Sequence, residues 1–223
     1  MNAHAGALII EARRKLLTAP AGPLINIGAG GSNAQTSFTL NPLALGAQSG
    51  DLMVVGGSFE QDSAVTTPAG WTEARDASSN AGGSAHRHVI AHRTFSGAPP
   101  GDQTWSYGGS NGAFYGWAIL RGCSFGAIHI PTAVLSGPYS MPVTIGAKGA
   151  LAFIDFDGFS TEDPSTIVGL ESDVDVAAAA VNAATAGYYT SIGWMDASGT
   201  VNINAGAGGF TYGQLASWWL EIN

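Results

Sequence analysis

Three histidines alternate along one short segment of the chain and are the side chains best spaced for metal chemistry. His86, His88 and His92 have the same parity, so on a β-strand they would point to one face. Neighbouring imidazoles can ligate a transition metal, and three copies at a trimer axis could complete an octahedron. Arg87 and Arg93 beside them favour the alternative, a solvent-exposed strand. We favour that alternative and predict no cofactor.

Acidic side chains are concentrated between Asp155 and Asp175, and carboxylate oxygens are ligands that Ca²⁺ prefers. Asp155 and Asp157 have same-face parity in an extended segment, as do Asp173 and Asp175. The spacing lacks the glycine and the final glutamate of an EF-hand loop. Solvated loop charge is therefore the interpretation we favour over a calcium site.

No motif stands in the context typical of a catalytic or nucleotide-binding site. The string Gly108–Gly112 fits Gly-x-Ser-x-Gly, but it leads into a predicted strand and not into the helix of a nucleophile elbow. His-Glu-x-x-His and Walker patterns are absent, and Gly28–Gly31 precedes no convincing βαβ unit. The single cysteine, Cys123, follows a predicted strand, where a small buried thiol is its ordinary role. We predict that the protein is not an enzyme. A glycan hydrolase with two distant carboxylates stays a third hypothesis.

Aromatic residues are numerous for a chain with so little charge, and they are candidates for contact with a partner or a sugar. Adjacent pairs such as Trp218 and Trp219 must point to opposite faces of a strand, so one of each pair can leave the core. We favour packing between subunits over glycan binding for such residues. The candidate partner-binding residues are Leu8, Ile9, Arg13, Arg14, Lys15, Trp105, Tyr115 and Trp218.

The composition favours β structure and assembly. Charged residues make up 11% of the 223 residues, against about 25% in an average soluble domain, whereas 45% are hydrophobic and 32 are glycine. Small uncharged residues suit strands, tight turns and surfaces that pack against copies of themselves. A net charge of −8 disfavours nucleic acid as a partner, and no apolar segment is long enough for a membrane span.

Residues 1–23 differ from the rest and form a predicted N-terminal arm. Ala7–Leu17 has the apolar and basic pattern of a short helix, and the proline-containing Thr18–Pro23 stretch ends it. So short a helix is marginal in water by itself. We expect the arm to dock on its own body, on a neighbouring subunit or on a partner.

Residues 24–223 are predicted to form a β-sandwich domain of about ten strands, with repeat halves at about 24–125 and 126–223. The segment Val174–Ala184 fits either a short helix or an alanine-rich strand. The predicted strands are Gln35–Leu40, Asp51–Phe59, Thr72–Asp76, His86–Phe95, Gln103–Tyr107, Phe114–Arg121, Met141–Ile145, Ala150–Phe156, Tyr188–Met195, Thr200–Ala205 and Gln214–Ile222.

The repeat is visible as matched strand sequences. Gly50–Phe59 resembles Gly149–Phe159, and Phe114–Leu120 resembles Phe210–Ala216. The offset between the two copies is about 97 to 99 residues. Two matched strand sets predict either one sandwich with pseudo-symmetry or two packed small sheets.

One series of motifs resembles a known group of proteins. It consists of Gly50–Val55, then Thr67–Thr72 with its Pro-Ala-Gly-Trp core, then a strand with aromatics, then Trp117–Gly122. In this order it is similar to structural proteins of tailed bacteriophages and prophages, which have jelly-roll-like sandwiches and are labelled tail, fibre or head-appendage proteins. The resemblance covers Gly50–Gly122 well and the second half loosely.

The resemblance implies a jelly-roll-like fold and a virion location, on the head or on a tail or spike appendage. It implies homo-oligomers and contacts with other virion proteins, with contact to the host surface as a further possibility, and it carries over no catalytic residue. The N-terminal arm departs from the family pattern. The alternative function is a carbohydrate-binding module or adhesin that contacts host-surface glycan.

Overall fold

The computed structural model describes nine segments of the chain, which are residues 23–32, 36–60, 64–79, 86–108, 113–130, 139–158, 177–185, 188–203 and 213–223. These segments contain fifteen strands and no helix, and the predicted all-β sandwich is confirmed. It follows that, within them, no helix could cross a membrane. The predicted helix at Ala7–Leu17 lies outside the described residues.

The first half of the chain forms one large and one small antiparallel sheet. Its strands are β1 (Leu24–Ser32), β2 (Ser37–Leu40), β3 (Leu52–Glu60), β4 (Val65–Thr66), β5 (Thr72–Ser79), β6 (His86–Thr94), β7 (Gln103–Tyr107) and β8 (Ala113–Leu120). The first large sheet has the order β1-β8-β3-β6-β5, and the first small sheet has the order β2-β7-β4.

The second half repeats this arrangement. Its strands are β9 (Phe125–His129), β10 (Tyr139–Val143), β11 (Gly149–Gly158), β12 (Ala177–Thr185), β13 (Tyr188–Met195), β14 (Gly199–Ile203) and β15 (Gly213–Ile222). The second large sheet has the order β9-β15-β11-β13-β12, and the second small sheet pairs β10 with β14. Read position by position, β9 takes the place of β1, β15 that of β8, β11 that of β3, β13 that of β6 and β12 that of β5.

The strand pairs of each half are nested. In the first half β1 pairs with β8, β2 with β7 and β3 with β6, and in the second half β9 pairs with β15, β10 with β14 and β11 with β13. In each half, three strands are therefore followed by three strands that pair with them in reverse order. Each return brings strands distant in sequence into one sheet, because antiparallel partners need only opposite direction and a matching register.

Two apolar cores lie on the two faces of the first large sheet. One core fills the space between the large sheets, where Leu52 and Val54 meet Leu151 and Phe153. The other lies between the first large sheet and the first small sheet, where Met53 and the neighbouring odd-numbered residues meet side chains from β2 and β7. Residues 52–55 are therefore buried on both faces, which explains why β3 is a continuous apolar run.

Glycine-rich and short strands account for what the sequence pattern missed. β1, β4 and β9 were not predicted, and the described segments hold fifteen strands where about ten were expected. The uncertain segment Val174–Ala184 contains most of β12, so the strand alternative is the correct one. Alanine and glycine have low strand propensity, and only the pairing with neighbouring strands makes these segments extended.

Candidate functional site

The most prominent surface feature of the described residues is an aromatic strip on the outer face of the first large sheet. It consists of Trp117 and Tyr115 on β8, together with Asn26, Gly28 and Gly30 on β1. All five are partly exposed. The Trp117 indole Nε1 donates a hydrogen bond to Asn26 Oδ1 at 3.0 Å, which holds the indole across β1.

Two glycines on β1 make room for the rings. Gly28 pairs with Trp117 and Gly30 with Tyr115 in the β1–β8 register. A side chain at Gly28 would collide with the Trp117 ring, and a Cβ at Gly30 would lie 2.9 Å from the Tyr115 hydroxyl oxygen. The rings therefore lie over bare backbone, an arrangement that glycine in a strand permits.

Rings from the small sheet continue the aromatic row beyond Tyr115. Phe38 on β2 stacks on Tyr115 with ring centroids 3.9 Å apart, and Trp105 on β7 stacks on the far side of the same aromatic row. Trp117 lies next to Tyr115 at 6.1 Å, further from the small sheet, and is its half-buried terminal ring. Trp117 thus offers a ring surface, while Tyr115 is held in place by stacking.

The strip is uncharged. Neither β1 nor β8 carries an Asp, Glu, Lys, Arg or His residue. The Tyr115 hydroxyl is neutral at physiological pH, and burial raises its pKa further. Asn26 Oδ1 accepts from the indole, so the NH₂ group is the donor end of this carboxamide. The strip combines a flat apolar ring with neutral hydrogen-bonding groups.

A second aromatic group lies on the second half. The His129 ring on β9 stacks on Trp219 of β15 with centroids 4.8 Å apart, and its Nε2 lies 2.6 Å from Glu221 Oε1. His129 and Glu221 are each about one-third exposed. One face of the Trp219 ring is therefore occupied by an imidazole, unlike the ring of Trp117.

The structure corrects two of the predicted partner-binding residues. Trp105 and Trp218 are each only 1% exposed and belong to the two apolar cores, because they lie on the inward-facing positions of β7 and β15. Of the adjacent pair Trp218 and Trp219, it is Trp219 that reaches the surface. Tyr115 is partly exposed, whereas Leu8, Ile9, Arg13, Arg14 and Lys15 lie outside the described residues.

The histidine segment lies in β6 and faces the core between the large sheets. His88 is 3% exposed and packs edge-on against Trp218, and His92 stacks on Phe125 with centroids 4.0 Å apart. The expected solvent exposure of this face is therefore wrong for His88. The side chain of His86 lies outside the description. The two described rings each contact an aromatic ring of the second half.

Other predicted chemistry finds no assembled group. No cluster of three or more His, Cys, Asp or Glu side chains able to hold a metal occurs among the described residues. The acidic group from Asp155 to Asp175 falls largely outside them. Cys123 is buried in the core, and burial raises the pKa of its thiol, as expected for an unreactive cysteine.

Comparison with protein-family models, curated proteins and solved structures found no match to this chain.

The aromatic strip was missed by the sequence pattern because β1 carries Gly28 and Gly30 at its centre. A signal was present in the alternation of Asn26, Gly28 and Gly30, which is the period of a strand with one bare face.

Proposed function

We propose that this protein is a non-catalytic structural subunit of a bacteriophage or phage-like particle, assembled as an oligomer. The observation that carries the proposal is the nested strand pairing, present twice in the chain. Pairing the first strand with the last, the second with the next to last and so on is jelly-roll-type connectivity. Jelly rolls serve as viral capsid and lectin domains. The phage-type motif order in Gly50–Gly122 adds to this support.

The low surface charge supports assembly as the working state. Charged residues are 11% of the chain, and Leu43 and Ile130 are large apolar side chains with 59% and 47% exposure. A monomer that stays separate at high concentration ordinarily carries more charge and fewer exposed apolar residues. Both features are expected where copies pack against one another or against other virion proteins.

Light scattering on the purified chain tests the proposal, together with co-purification from a lysate of induced phage or prophage particles. We expect a defined homo-oligomer in solution and sedimentation with particles, with the protein accessible to antibody at the particle surface. A monomer at every concentration tested and absence from purified particles would contradict it.

A second candidate function is carbohydrate binding, as an adhesin or a binding module. The half-exposed Trp117 ring beside Asn26 favours it, because sugar rings stack on aromatic faces while their hydroxyls bond to amides and hydroxyls. Retention on immobilised glycans tests this function. Passage through every column at the rate of an inert protein would contradict it.

A further inference from the structure

We propose that the aromatic strip of β1 and β8 is a binding site for a neutral sugar unit of a polysaccharide, which stacks on Trp117. The proposal rests on the second candidate function and gives it a location and a ligand class. The ring of Trp117 supplies the stacking surface, and the Asn26 amide and the Tyr115 hydroxyl supply hydrogen bonds at its border.

The charge of the strip selects the ligand class. β1 and β8 contain no ionisable side chain other than Tyr115, and a phenol is neutral at physiological pH. Phosphate, carboxylate and nucleic-acid ligands need cationic side chains or converging backbone donors, and these strands supply no cation. A polyol with an apolar ring face matches the strip, since its hydroxyls find an amide and a phenol.

The geometry of Trp117 separates it from the aromatic residues that only fill the core. Trp105, at the other end of the same row, is only 1% exposed; it stacks on Phe38 at 5.1 Å and meets Trp71 edge-on at 4.8 Å. Trp219 carries His129 on its ring. Trp117 is the last ring of its row, lies over the β1 backbone at Gly28 and is partly exposed.

The glycines under the rings destabilise β1, and a binding role for the strip gives a reason for their presence. Glycine in a strand interior destabilises the fold relative to alanine, because it loses more backbone freedom on folding. β1 has this residue at both positions below the strip, Gly28 and Gly30, where any side chain would lift the rings. Glycines at such positions mark close approach of another group. Displacement of the Trp117 ring away from the β1 backbone would also disturb its hydrogen bond to Asn26.

The test is binding of the full chain to a panel of soluble neutral polysaccharides, namely glucans, mannans, galactans and xylans, by affinity electrophoresis and calorimetry. We expect at least one to bind and Trp117→Ala to weaken that binding at least about tenfold. Gly28→Ala should weaken it similarly while every tryptophan is retained, because the new methyl group displaces the Trp117 ring.

Two matched controls separate the strip from general damage. Trp219→Ala removes the half-buried tryptophan of the other half, and Gly97→Ala adds a methyl group where nothing lies within 4 Å. Both should bind within about twofold of the unchanged chain. Binding to no polysaccharide of the panel, or an equal loss in Trp219→Ala, overturns the proposal.

Light scattering on the same variants distinguishes a sugar from a second copy of the chain. Trp117→Ala should leave the oligomeric state unchanged, and dissociation of the oligomer by Trp117→Ala would overturn the sugar site and assign the strip to subunit contact. A chain that binds polysaccharide but remains a monomer would refute the particle-subunit proposal alone. An oligomer that binds no polysaccharide would refute the sugar site alone.

Discussion

The two halves of the sandwich share one strand order but contribute opposite shapes to the contact between their large sheets. In the first half, Gly56 and Gly116 pair with each other at the centre of the sheet. A Cβ at Gly56 would lie 2.6 Å from the Phe153 ring, and a Cβ at Gly116 would lie 2.8 Å from Ile192. The first half therefore supplies a hollow, and the second half supplies the side chains that enter it.

The halves also differ at the end of the strand pair next to this contact. Asp51, only 1% exposed, accepts hydrogen bonds from Arg121 Nε and Nη2 at 3.0 and 3.1 Å, and from the Gln48 backbone N–H at 2.8 Å. The register places Ala150 opposite Glu221 at the corresponding point of the second half. One half is locked by a bidentate ion pair there, whereas the other turns its carboxylate towards His129.

This comparison teaches that a repeated strand order does not require repeated side chains. Two identical flat faces would leave gaps between the sheets, since interiors pack at nearly crystalline density. Gly56 and Gly116 of the first large sheet meet Phe153 and Ile192 of the second, so small residues face large ones and the two surfaces are complementary.

Removal of the largest side chain that enters the hollow should have the greatest effect. Phe153 is fully buried, contacts the backbone at Gly56 and stacks on Trp218 at 5.8 Å. We expect Phe153→Ala to lower the free energy of unfolding by about 3–5 kcal/mol in urea denaturation. Leu43→Ala, at a 59% exposed site, is the control and should change it by no more than about 0.5 kcal/mol. Equal effects would mean that the large sheets do not pack through Phe153.

Filling the hollow should destabilise the sandwich from the opposite side. Gly116→Val places two methyl groups against Ile192, and we expect a loss of about 1–3 kcal/mol in the same assay. Gly97→Ala, in open space, serves as the control. A second substitution, Ile192→Ala, should recover part of the loss, and a strictly additive double variant would argue against direct contact.

The ion pair that distinguishes the halves should matter in the first half more than the His129 pair matters in the second. Asp51→Asn removes the buried carboxylate that accepts from the half-exposed Arg121 guanidinium and from the Gln48 N–H, and we expect a cost of about 1–3 kcal/mol. Glu221→Gln removes a half-exposed pair and should cost about 0–1 kcal/mol. Thermal unfolding of the two variants at one pH measures the difference, and the reverse order would refute the comparison.

Acid should weaken the contact between the halves through His92. Burial against Phe125 lowers the pKa of His92, so the folded state favours the neutral imidazole. Its contribution is complete above the unfolded pKa of about 6.5 and is lost as the pH falls through the lower folded value. We expect Tm to fall between about pH 7 and pH 5, and to fall less in His92→Phe, which retains the ring stack. Identical acid dependence in the variant would exclude His92 as a cause.

Much of the fold could be predicted from the sequence where an apolar strand pattern is bounded by residues typical of turns. The Gly50–Val55 run predicted β3, and Pro68 and Gly70 are residues typical of a turn that leads into an apolar residue, Trp71. Gly70 adopts φ +83°, a conformation that glycine tolerates, and Trp71 meets Trp105 edge-on at 4.8 Å. These features depend on a few neighbouring residues, so the local pattern suffices to predict them.

The exposure of individual aromatic residues could not be predicted from the sequence. Trp105 and Trp218 were expected at the surface, and Trp117 was not singled out. Trp218 is covered by the opposite large sheet, and Trp105 lies in the core between the first large sheet and the first small sheet. Both layers are placed by contacts between strands distant in sequence, such as Phe38 with Tyr115.

The sequence also predicted only part of the internal repeat. The matched sequences Gly50–Phe59 and Gly149–Phe159 predicted a duplication, and the strand order repeats. On the last strand, however, the sequence similarity matches Gly116 to Gly213, whereas the register makes Ala216 its counterpart. Glycines recur in strands for several local reasons, so an alignment of the two copies by sequence similarity can be shifted by a few residues. The hydrogen-bond register gives the correct counterparts.

The amino-acid sequence by itself determined the all-β class, the positions of most strands and the turn before Trp71, because alternation and turn residues act over short distances. The tertiary structure decided that Gly28 and Gly30 lie in a strand, that His88 is buried, and that Trp117 forms the open end of an aromatic row. Those properties arise only when strands that are distant in sequence come together, as when β8 returns beside β1 and β6 packs against β15.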